Sequence, residues 1–159
     1  MPFHHLPPGC NSSISINTSK KYYGTFAEIG AGQEISRWFF KVGGASGTIA
    51  KAISAYDMTF SDAIYGPEEN GRYVVESRVK RMLDYEHNLL ETRLQDEEHK
   101  DKFLFTIANT VAAKSPRYNG DCHGWIGIKF QTATNKKANE IILHIRLMDP
   151  SNHQQQNAL

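Results

Sequence analysis

Two segments near the C-terminal end of the chain alternate apolar and polar residues, and this alternation constrains the fold more than any other feature. They read HGWIGIKFQT and NEIILHIRLM and are joined around TATNKKAN. Such alternation predicts an antiparallel hairpin in which each strand has one buried face. A slip of one residue would mix the two faces, so the pattern also predicts a register. Placing Gln131 opposite Glu140 gathers the apolar side chains in the pairs Phe130 with Ile141, Ile128 with Leu143, and Ile126 with Ile145.

The other face of this hairpin is predicted to be basic and aromatic. The same register sets Arg146 against the ring of Trp125, a cation–π arrangement worth about 0.5–1 kcal/mol when exposed. Gly127 would leave room beside them, because it has no side chain. Such a surface suits an anionic or planar ligand, and the alternative is a half-exposed sheet face with a tryptophan under a helix. The candidate ligand-binding residues of this face are His123, Trp125, Lys129, His144 and Arg146.

A glycine-rich stretch, GGASGT, precedes a segment with helical periodicity. If Ser46 or Thr48 opens a helix there, its free backbone N–H groups and dipole favour an anion, and Lys51 follows one turn later. The Walker pattern requires lysine directly after the last glycine, whereas here the order is Gly-Thr-Ile-Ala-Lys. The alternative is therefore a helix–loop–helix corner. The candidate anion-binding residues are Gly43, Gly44, Ser46, Gly47, Thr48 and Lys51.

Cys122 and His123 are adjacent in GDCHGW, which suggests a thiol–imidazole pair. Neighbours on a strand point to opposite faces, however, so Cys122 is predicted to be a buried, inert cysteine. No CxxC or HxxxH spacing occurs, so no metal site is predicted, and the sequence identifies no cofactor. Asn109 interrupts an apolar alternation and is either a buried, hydrogen-bonded amide or a site residue.

The remaining pattern predicts an α+β fold in which an antiparallel sheet of three or more strands packs against three helices. The apolar face of the hairpin and the apolar stripe of the third helix would form the core. The predicted elements before the hairpin are a strand ending at Gly30 or Gly32, a helix from Gln33 to about Val42, a helix from Ser46 or Thr48 to Ile64, a helix from Ser77 to about His99, and a strand within KFLFTIANTVAA.

Residues 1–20 contain several proline, glycine and serine residues and are predicted to form an irregular arm, followed by a single α+β domain over 21–159. Such an arm is mobile unless a partner holds it, which makes it a candidate contact for another protein. The last stretch, DPSNHQQQNAL, begins like a helix capped by Asp149 or Ser151 and stops after a turn or two. The chain is therefore expected to be a short form or the N-terminal part of a longer protein.

Net charge and composition limit which partners and which compartment are expected. The net charge is +1, so no global field attracts nucleic acid or an anionic membrane, and a nucleic-acid partner is not favoured. No apolar run approaches the roughly 20 residues of a spanning helix. The two cysteines, Cys10 and Cys122, are too few for a disulfide framework, which favours a reducing compartment, the cytoplasm.

Several long blocks resemble a family of uncharacterised bacterial proteins. They include FAEIGAGQEISRWFFKVGGASGTIAKAISAYDMTFSDAIYG, CHGWIGIKFQT and EIILHIRLMD, and the resemblance extends from about Phe26 to Leu159. Members of that family are longer than this chain; some carry the label nicotinate-nucleotide adenylyltransferase and others TonB-dependent receptor. The chain has no His-x-Gly-His motif of the kind with which such nucleotidyltransferases hold phosphates. The resemblance therefore supports the domain boundaries and transfers no catalytic residue.

These features lead to two hypotheses of function. The first is a domain that binds a phosphorylated or anionic small molecule, including a nucleotide, as part of an enzyme whose catalytic groups come from elsewhere. It requires the glycine stretch and the basic hairpin face to meet in one pocket. The alternative is a non-catalytic structural or interaction subunit of a larger assembly, favoured by the arm and by the interrupted last helix.

Overall fold

A five-stranded sheet organises the chain, and helices pack on both of its faces. The computed structural model describes residues 8–93, 99–117, 120–134 and 136–159. The α+β class is as predicted, and no helix in these ranges is both long and apolar enough to cross a membrane. The elements are α1 (Pro8–Thr18), β1 (Tyr22–Gly30), α2 (Glu34–Lys41), β2 (Ile49–Ile53), α3 (Met58–Tyr65), α4 (Glu76–Arg93), β3 (Phe103–Ala112), β4 (His123–Phe130), β5 (Asn139–Arg146) and α5 (Asn152–Asn157).

The sheet is mixed rather than antiparallel throughout. Its strand order is β2-β1-β3-β4-β5, and β1 runs parallel to both β2 and β3, whereas β4 pairs antiparallel with β3 and β5. Parallel neighbours need crossover connections. Here α2 connects β1 to β2, and α3 and α4 connect β2 to β3. The prediction of an antiparallel sheet is wrong for β1, because the crossover segments leave it parallel to β3 and because residues 49–53, predicted as helical, form the parallel strand β2.

The second predicted helix, over 46–64, is wrong in its first half. Ile49–Ile53 forms β2, and only Met58–Tyr65 is helical. Asp57 begins α3, because its carboxylate accepts a hydrogen bond from the Phe60 backbone N–H at 2.9 Å. The segment before Asp57 also fits a period of two, and pairing with β1 satisfies its backbone in the sheet.

The β4–β5 hairpin has the predicted faces but a different register. Ile128 pairs with Ile141, and Ile126 pairs with Leu143, which is a shift of two residues from the predicted pairs. A shift of two keeps each side chain on its predicted face, because the pleat repeats every two residues. The alternation therefore defines which residues share a face but not which residues pair.

Helix α4 packs on the face of the hairpin opposite to the predicted one. Ala27, Ala108 and Gly127 are cross-strand neighbours on β1, β3 and β4. Because these residues are small, they leave a shallow groove across this face of the sheet. A Cβ atom on Gly127 would lie 2.5 Å from Leu83 Cδ1 and 2.8 Å from Val79 Cγ1, so its absence admits the helix. The room that the sequence suggests for a ligand beside Gly127 is therefore filled by α4.

The other face of the sheet carries a second core. Phe26, Phe39 and Phe105 form its buried aromatic cluster, on which α1 and α2 pack. This core does not extend to the edge strand β5, where Ile141 and Leu143 are 48% and 55% exposed. The predicted single core, made of the apolar hairpin face and the third helix, is thus replaced by two cores on opposite faces.

The segment predicted as an irregular arm is helical in its described part. Helix α1 begins at Pro8, and proline is favoured at the first helical position. The buried amide of Asn17 donates hydrogen bonds to the carbonyl oxygens of Phe39 and Gly43, each at 2.8 Å. Docking against α2 therefore stabilises a helix that its composition does not predict. Residues 1–7 of the predicted arm lie outside the described residues, as do residues 94–98 near the predicted end of α4.

A buried ion cluster joins α3 to α4. The guanidinium of Arg78 has no exposed surface and lies 2.7 Å from Asp62 and 3.2 Å from Glu68. It also lies 4.9 Å from the centroid of the Tyr73 ring. The Tyr73 hydroxyl donates to Asp62 at 2.7 Å, and this bond, together with Arg78, lowers the pKa of the Asp62 carboxyl. Arg81 pairs with Glu68 at 2.7 Å and extends the cluster to the surface.

Helix α4 also buries a histidine against β3, which predicts a pH dependence of stability. His87 Nδ1 lies 3.0 Å from Thr106 Oγ1, and burial lowers the pKa of the imidazole, although Glu91 at 3.4 Å opposes this. Below the ordinary value of 6.5 the unfolded chain therefore binds a proton that the folded chain does not bind until a lower pH.

We therefore expect stability to fall as the pH is lowered through that window. Thermal melts near pH 7 and near pH 5, on either side of the ordinary histidine pKa of about 6.5, test this. The drop in Tm between the two conditions should be smaller for His87→Gln than for the wild type. Equal drops in both proteins would assign the pH dependence to other groups.

Candidate functional site

The glycine stretch is a corner between α2 and β2. Gly43 and Gly44 have φ angles of 80° and 75°, in the left-handed region that favours glycine, and they reverse the chain after α2. Ala45–Gly47 is a single 3₁₀ turn that leads through Thr48 into β2. The prediction that Ser46 or Thr48 opens a helix is therefore wrong, and the helix-dipole argument for an anion does not apply here.

Lys51 lies on β2 and is paired with a buried carboxylate. Its ammonium contacts Oε2 of Glu86, whose side chain is fully buried, and the Tyr65 hydroxyl donates to Oε1 at 2.8 Å. Burial and the adjacent Glu86 raise the pKa of Tyr65. Lys51 and Glu86 line a cavity of about 290 Å³ between β1, β2 and α4. The charge of Lys51 is therefore largely neutralised within the fold.

The predicted basic face of the hairpin is rearranged by the change of register. His144 stacks on Trp125, with ring centroids 4.5 Å apart and an interplanar angle of 18°. It takes the place predicted for Arg146, which lies opposite His123 instead. The predicted contact of Arg146 with the Trp125 ring is thus replaced by an imidazole–indole stack.

The two groups of residues predicted to share a pocket lie on different parts of the sheet. β2 and β5 are its opposite edges, with β1, β3 and β4 between them. Neighbouring strands lie about 4.8 Å apart, so roughly 19 Å separate the two edges. Lys129 of the hairpin face is in addition paired with Asp84 of α4. The glycine stretch and the hairpin face therefore do not form one pocket.

A cavity of about 380 Å³ lies instead at the carboxyl ends of β1 and β3, and is termed the strand-end pocket. The chain leaves β1 towards β2 on one side and leaves β3 towards β4 on the other. Open α/β sheets bind ligands at such points, outside the carboxyl ends of strands whose connections diverge. The polar side chains that line it are Gln33, Tyr56, Lys114, Ser115, Asn152 and Gln156.

The buried carboxylate of Glu28, near the end of β1, caps the first turn of α2. It accepts hydrogen bonds from the backbone N–H of Ser36 at 3.1 Å and from the Ser36 hydroxyl at 2.5 Å. Gln33, at the N-cap position of α2, makes no side-chain cap, so the neighbouring strand supplies one. Asn109 donates to Glu28 at 3.4 Å and to the Gly32 carbonyl at 3.0 Å, which makes it a buried, hydrogen-bonded amide.

Helix α5 closes one side of the strand-end pocket. Ser151 caps it, one of the two predicted alternatives, by accepting a hydrogen bond from a backbone N–H of the first turn. The buried side chain of Gln155 donates to the Asp149 carbonyl at 2.8 Å and accepts from the Lys114 backbone N–H at 2.9 Å. The Lys114 ammonium donates to the Pro150 carbonyl at 2.9 Å. These bonds fix the backbone of Lys114 at the pocket wall.

The strand-end pocket is polar and weakly basic. Among its described lining residues only Lys114 carries a charge. Tyr56 is 70% exposed, so its ring is accessible to a planar group. Within the described part of the chain, no cluster of three or more histidine, cysteine, aspartate or glutamate side chains is placed to hold a metal ion. The arrangement suits an anion that carries a planar or polar part.

Sequence reasoning missed Tyr56, Lys114 and Asn152. The periodicity places Tyr56 in a helical stripe, and Lys114 follows a strand without a distinguishing motif. Only their position in the fold indicates a site, because ligands bind at the carboxyl ends of parallel strands whose connections diverge. That signal can be used only once β2 is recognised as a strand parallel to β1.

The architecture defines a class, a small α+β domain with a five-stranded mixed sheet, and solved structures of bacterial proteins share it. The competence/damage-inducible protein CihA from Agrobacterium tumefaciens is 15% identical, with a TM-score of 0.63, and the match covers 98% of this chain and 92% of that one. A CinA superfamily protein from Escherichia coli is 10% identical, with a TM-score of 0.58, over 99% of this chain and 88% of that one.

A third solved structure, the competence damage-inducible protein A from Klebsiella pneumoniae, is 10% identical, with a TM-score of 0.63, over 94% of this chain and 87% of that one. The chain thus has the fold of these CinA-superfamily and competence/damage-inducible proteins, and identities of this size show the fold alone. They are bacterial, as are the members of the family that the sequence resembles. Comparison of the sequence with protein-family models and with curated proteins finds no match.

Proposed function

We propose that the chain binds a phosphorylated or anionic small molecule, such as a mononucleotide, in the strand-end pocket. The observation that carries the proposal is the cavity of about 380 Å³ at the diverging ends of β1 and β3, with Lys114 in its wall. The volume lies within the range of known ligand pockets, roughly 300 to 1,000 Å³. The polar lining suits the polar groups of a mononucleotide. The proposed ligand class is the one predicted from the sequence, but the proposed binding residues are those of the strand-end pocket.

Each part of such a ligand has a counterpart in the wall. The Lys114 ammonium donates one hydrogen bond to Pro150, which leaves two protons for a phosphate oxygen. The exposed ring of Tyr56 offers a surface on which a base stacks. The hydroxyl of Ser115 and the amides of Asn152 and Gln156 suit the hydroxyl groups of a ribose.

The proposal is for binding rather than for a complete catalytic site. Ser115 and Tyr56 bring hydroxyl groups to the pocket, but the described lining holds no imidazole or carboxylate that would activate them. A reaction would therefore need groups from outside this wall, as the first of the two sequence hypotheses requires.

Isothermal titration with adenosine monophosphate, inorganic phosphate and adenosine tests the proposal. We expect adenosine monophosphate to bind more tightly than either fragment, and Lys114→Gln to weaken it about tenfold or more, since hydrogen bonds to charged groups contribute about 1.5–3 kcal/mol. Tyr56→Ala should weaken adenosine monophosphate and adenosine but not phosphate.

Lys102→Gln is the matched control, because Lys102 donates to the Gly47 carbonyl at 3.2 Å beside the glycine corner. It should leave binding unchanged. Absence of heat with all three compounds would refute the proposal. So would equal losses in Lys114→Gln and Lys102→Gln, because a site at the strand ends does not involve the glycine corner.

A further inference from the structure

His123 and His144 form a pair that the proposed function does not use. His123 opens β4, and His144 lies on β5, one strand further towards the edge of the sheet. His123 Nδ1 lies 3.1 Å from His144 Nε2, and the two rings are inclined at 82°. One of these nitrogens donates a hydrogen bond to the other, so the two nitrogens face each other.

This separation matches that of two nitrogen ligands on one metal ion. Metal–imidazole bonds measure about 2.0–2.1 Å, so two such nitrogens lie about 2.9 Å apart at a right angle and about 3.3 Å apart at a tetrahedral angle. The observed 3.1 Å falls between these limits. An ion at these bond lengths lies beside the line that joins the nitrogens, so both rings must rotate to direct their lone pairs at it when it replaces the shared proton.

The pair is held in place by the sheet and by an aromatic neighbour. Cross-strand pairing sets His123 opposite Arg146 and Trp125 opposite His144, so the two histidines are diagonal neighbours on one face. The Trp125 ring stacks on His144 at 4.5 Å with an angle of 18° between the planes, which limits the orientations of the imidazole. A chelating pair on two regular strands loses little conformational freedom when a metal binds.

We propose that His123 and His144 form a two-histidine site for a divalent transition metal ion such as Zn²⁺, Ni²⁺ or Cu²⁺. Neutral imidazoles select these ions over Mg²⁺ and Ca²⁺, which prefer oxygen ligands. No third histidine, cysteine or carboxylate completes a cluster within the described residues, so water or an added ligand fills the remaining positions. The site is therefore an open one.

The site lies at the same end of the sheet as the strand-end pocket. His123 pairs with Ala112, a residue of the pocket wall, across β3 and β4. Metal binding requires no ligand in that pocket, however, and is measured without one. The two proposals can therefore fail separately.

Quenching of Trp125 fluorescence by Cu²⁺, with Zn²⁺ as competitor, tests the site. Trp38→Phe removes the second of the two tryptophans, and His4→Gln with His5→Gln removes two adjacent imidazoles near the N-terminus that would compete for Cu²⁺. In this background we expect saturable quenching at a ratio of about one ion per chain, reversed by excess Zn²⁺, because both ions bind imidazole nitrogen and Cu²⁺ binds it more tightly.

His123→Gln and His144→Gln, made separately, should each raise the apparent Kd for Cu²⁺ at least about tenfold, because each removes one of two ligands. His153→Gln, a change of a histidine on α5, is the matched control and should leave the Kd within about twofold, the scatter expected for a surface change. Circular dichroism of every variant checks that the fold is retained. The proposal is overturned if quenching does not saturate, if Zn²⁺ does not reverse it, if only one of the two variants loses affinity, or if His153→Gln loses as much.

Discussion

Replacing Lys51 by methionine is expected to lower the free energy of unfolding by about 3–5 kcal/mol, the cost of leaving a buried charge without its partner. The Glu86 carboxylate is fully buried, and when the ammonium is removed the hydrogen bond from Tyr65 is the one it keeps among the described residues. The Lys51 side chain is 37% exposed and Glu86 lines the cavity of about 290 Å³ beside it, so the loss is expected at the lower end of that range. The residue that the sequence suggests as a phosphate ligand is thus predicted to be a structural one.

Urea denaturation of matched variants measures this effect. Glu86→Gln should cost less than Lys51→Met, because the Lys51 side chain is 37% exposed and can turn its charge into water. The double variant with Lys51→Met and Glu86→Gln should recover part of the loss, since neither charge then remains. A Lys51→Met protein no less stable than Glu86→Gln would contradict the burial of Glu86 as the cause.

Replacing Arg78 by methionine is expected to cost about 3 kcal/mol or more, for a related reason. Methionine fills most of the space of the arginine stem but leaves Asp62 and Glu68 without the charge between them. Glu68 keeps its contact with Arg81 at 2.7 Å, which places the loss at the lower end of the range for a broken buried pair.

The control for this variant is Arg81→Met, because Arg81 contacts the same carboxylate from the surface. Its side chain is 37% exposed and Glu68 keeps Arg78 at 3.2 Å when it is removed, so we expect a loss of at most about 1 kcal/mol. Equal losses in the two variants would show that burial of the guanidinium is not what makes Arg78 important. Urea denaturation of both variants at the same neutral pH makes the comparison.

The sequence predicts the elements of this fold better than their arrangement. Helices α2 and α4 and strands β3, β4 and β5 follow from the periodicity of their apolar residues. The position of α4 does not follow, since it depends on Gly127 lying beside Ala108 across two strands. Neighbours that are distant in sequence and lack large side chains leave no local pattern.

The candidate sites illustrate the same limit. Tyr56 and Lys114 meet only because β2 and β3 flank β1, so no spacing in the sequence brings them together. His123 and His144 become neighbours only in the observed register; the predicted register sets His144 opposite Gly127. A two-residue shift leaves the hydrophobic pattern intact yet changes which polar groups can act together.

Because the Glu28 carboxylate of β1 caps α2, it affects how this end of the molecule unfolds locally. The first turn of an ordinary helix frays readily, because its amide groups exchange one partner for water. Here fraying would strip a buried carboxylate of the Ser36 donors that hold it. The end of β1 and the start of α2 should therefore unfold as one cooperative unit, which protects the backbone amides at this end of the strands against local opening.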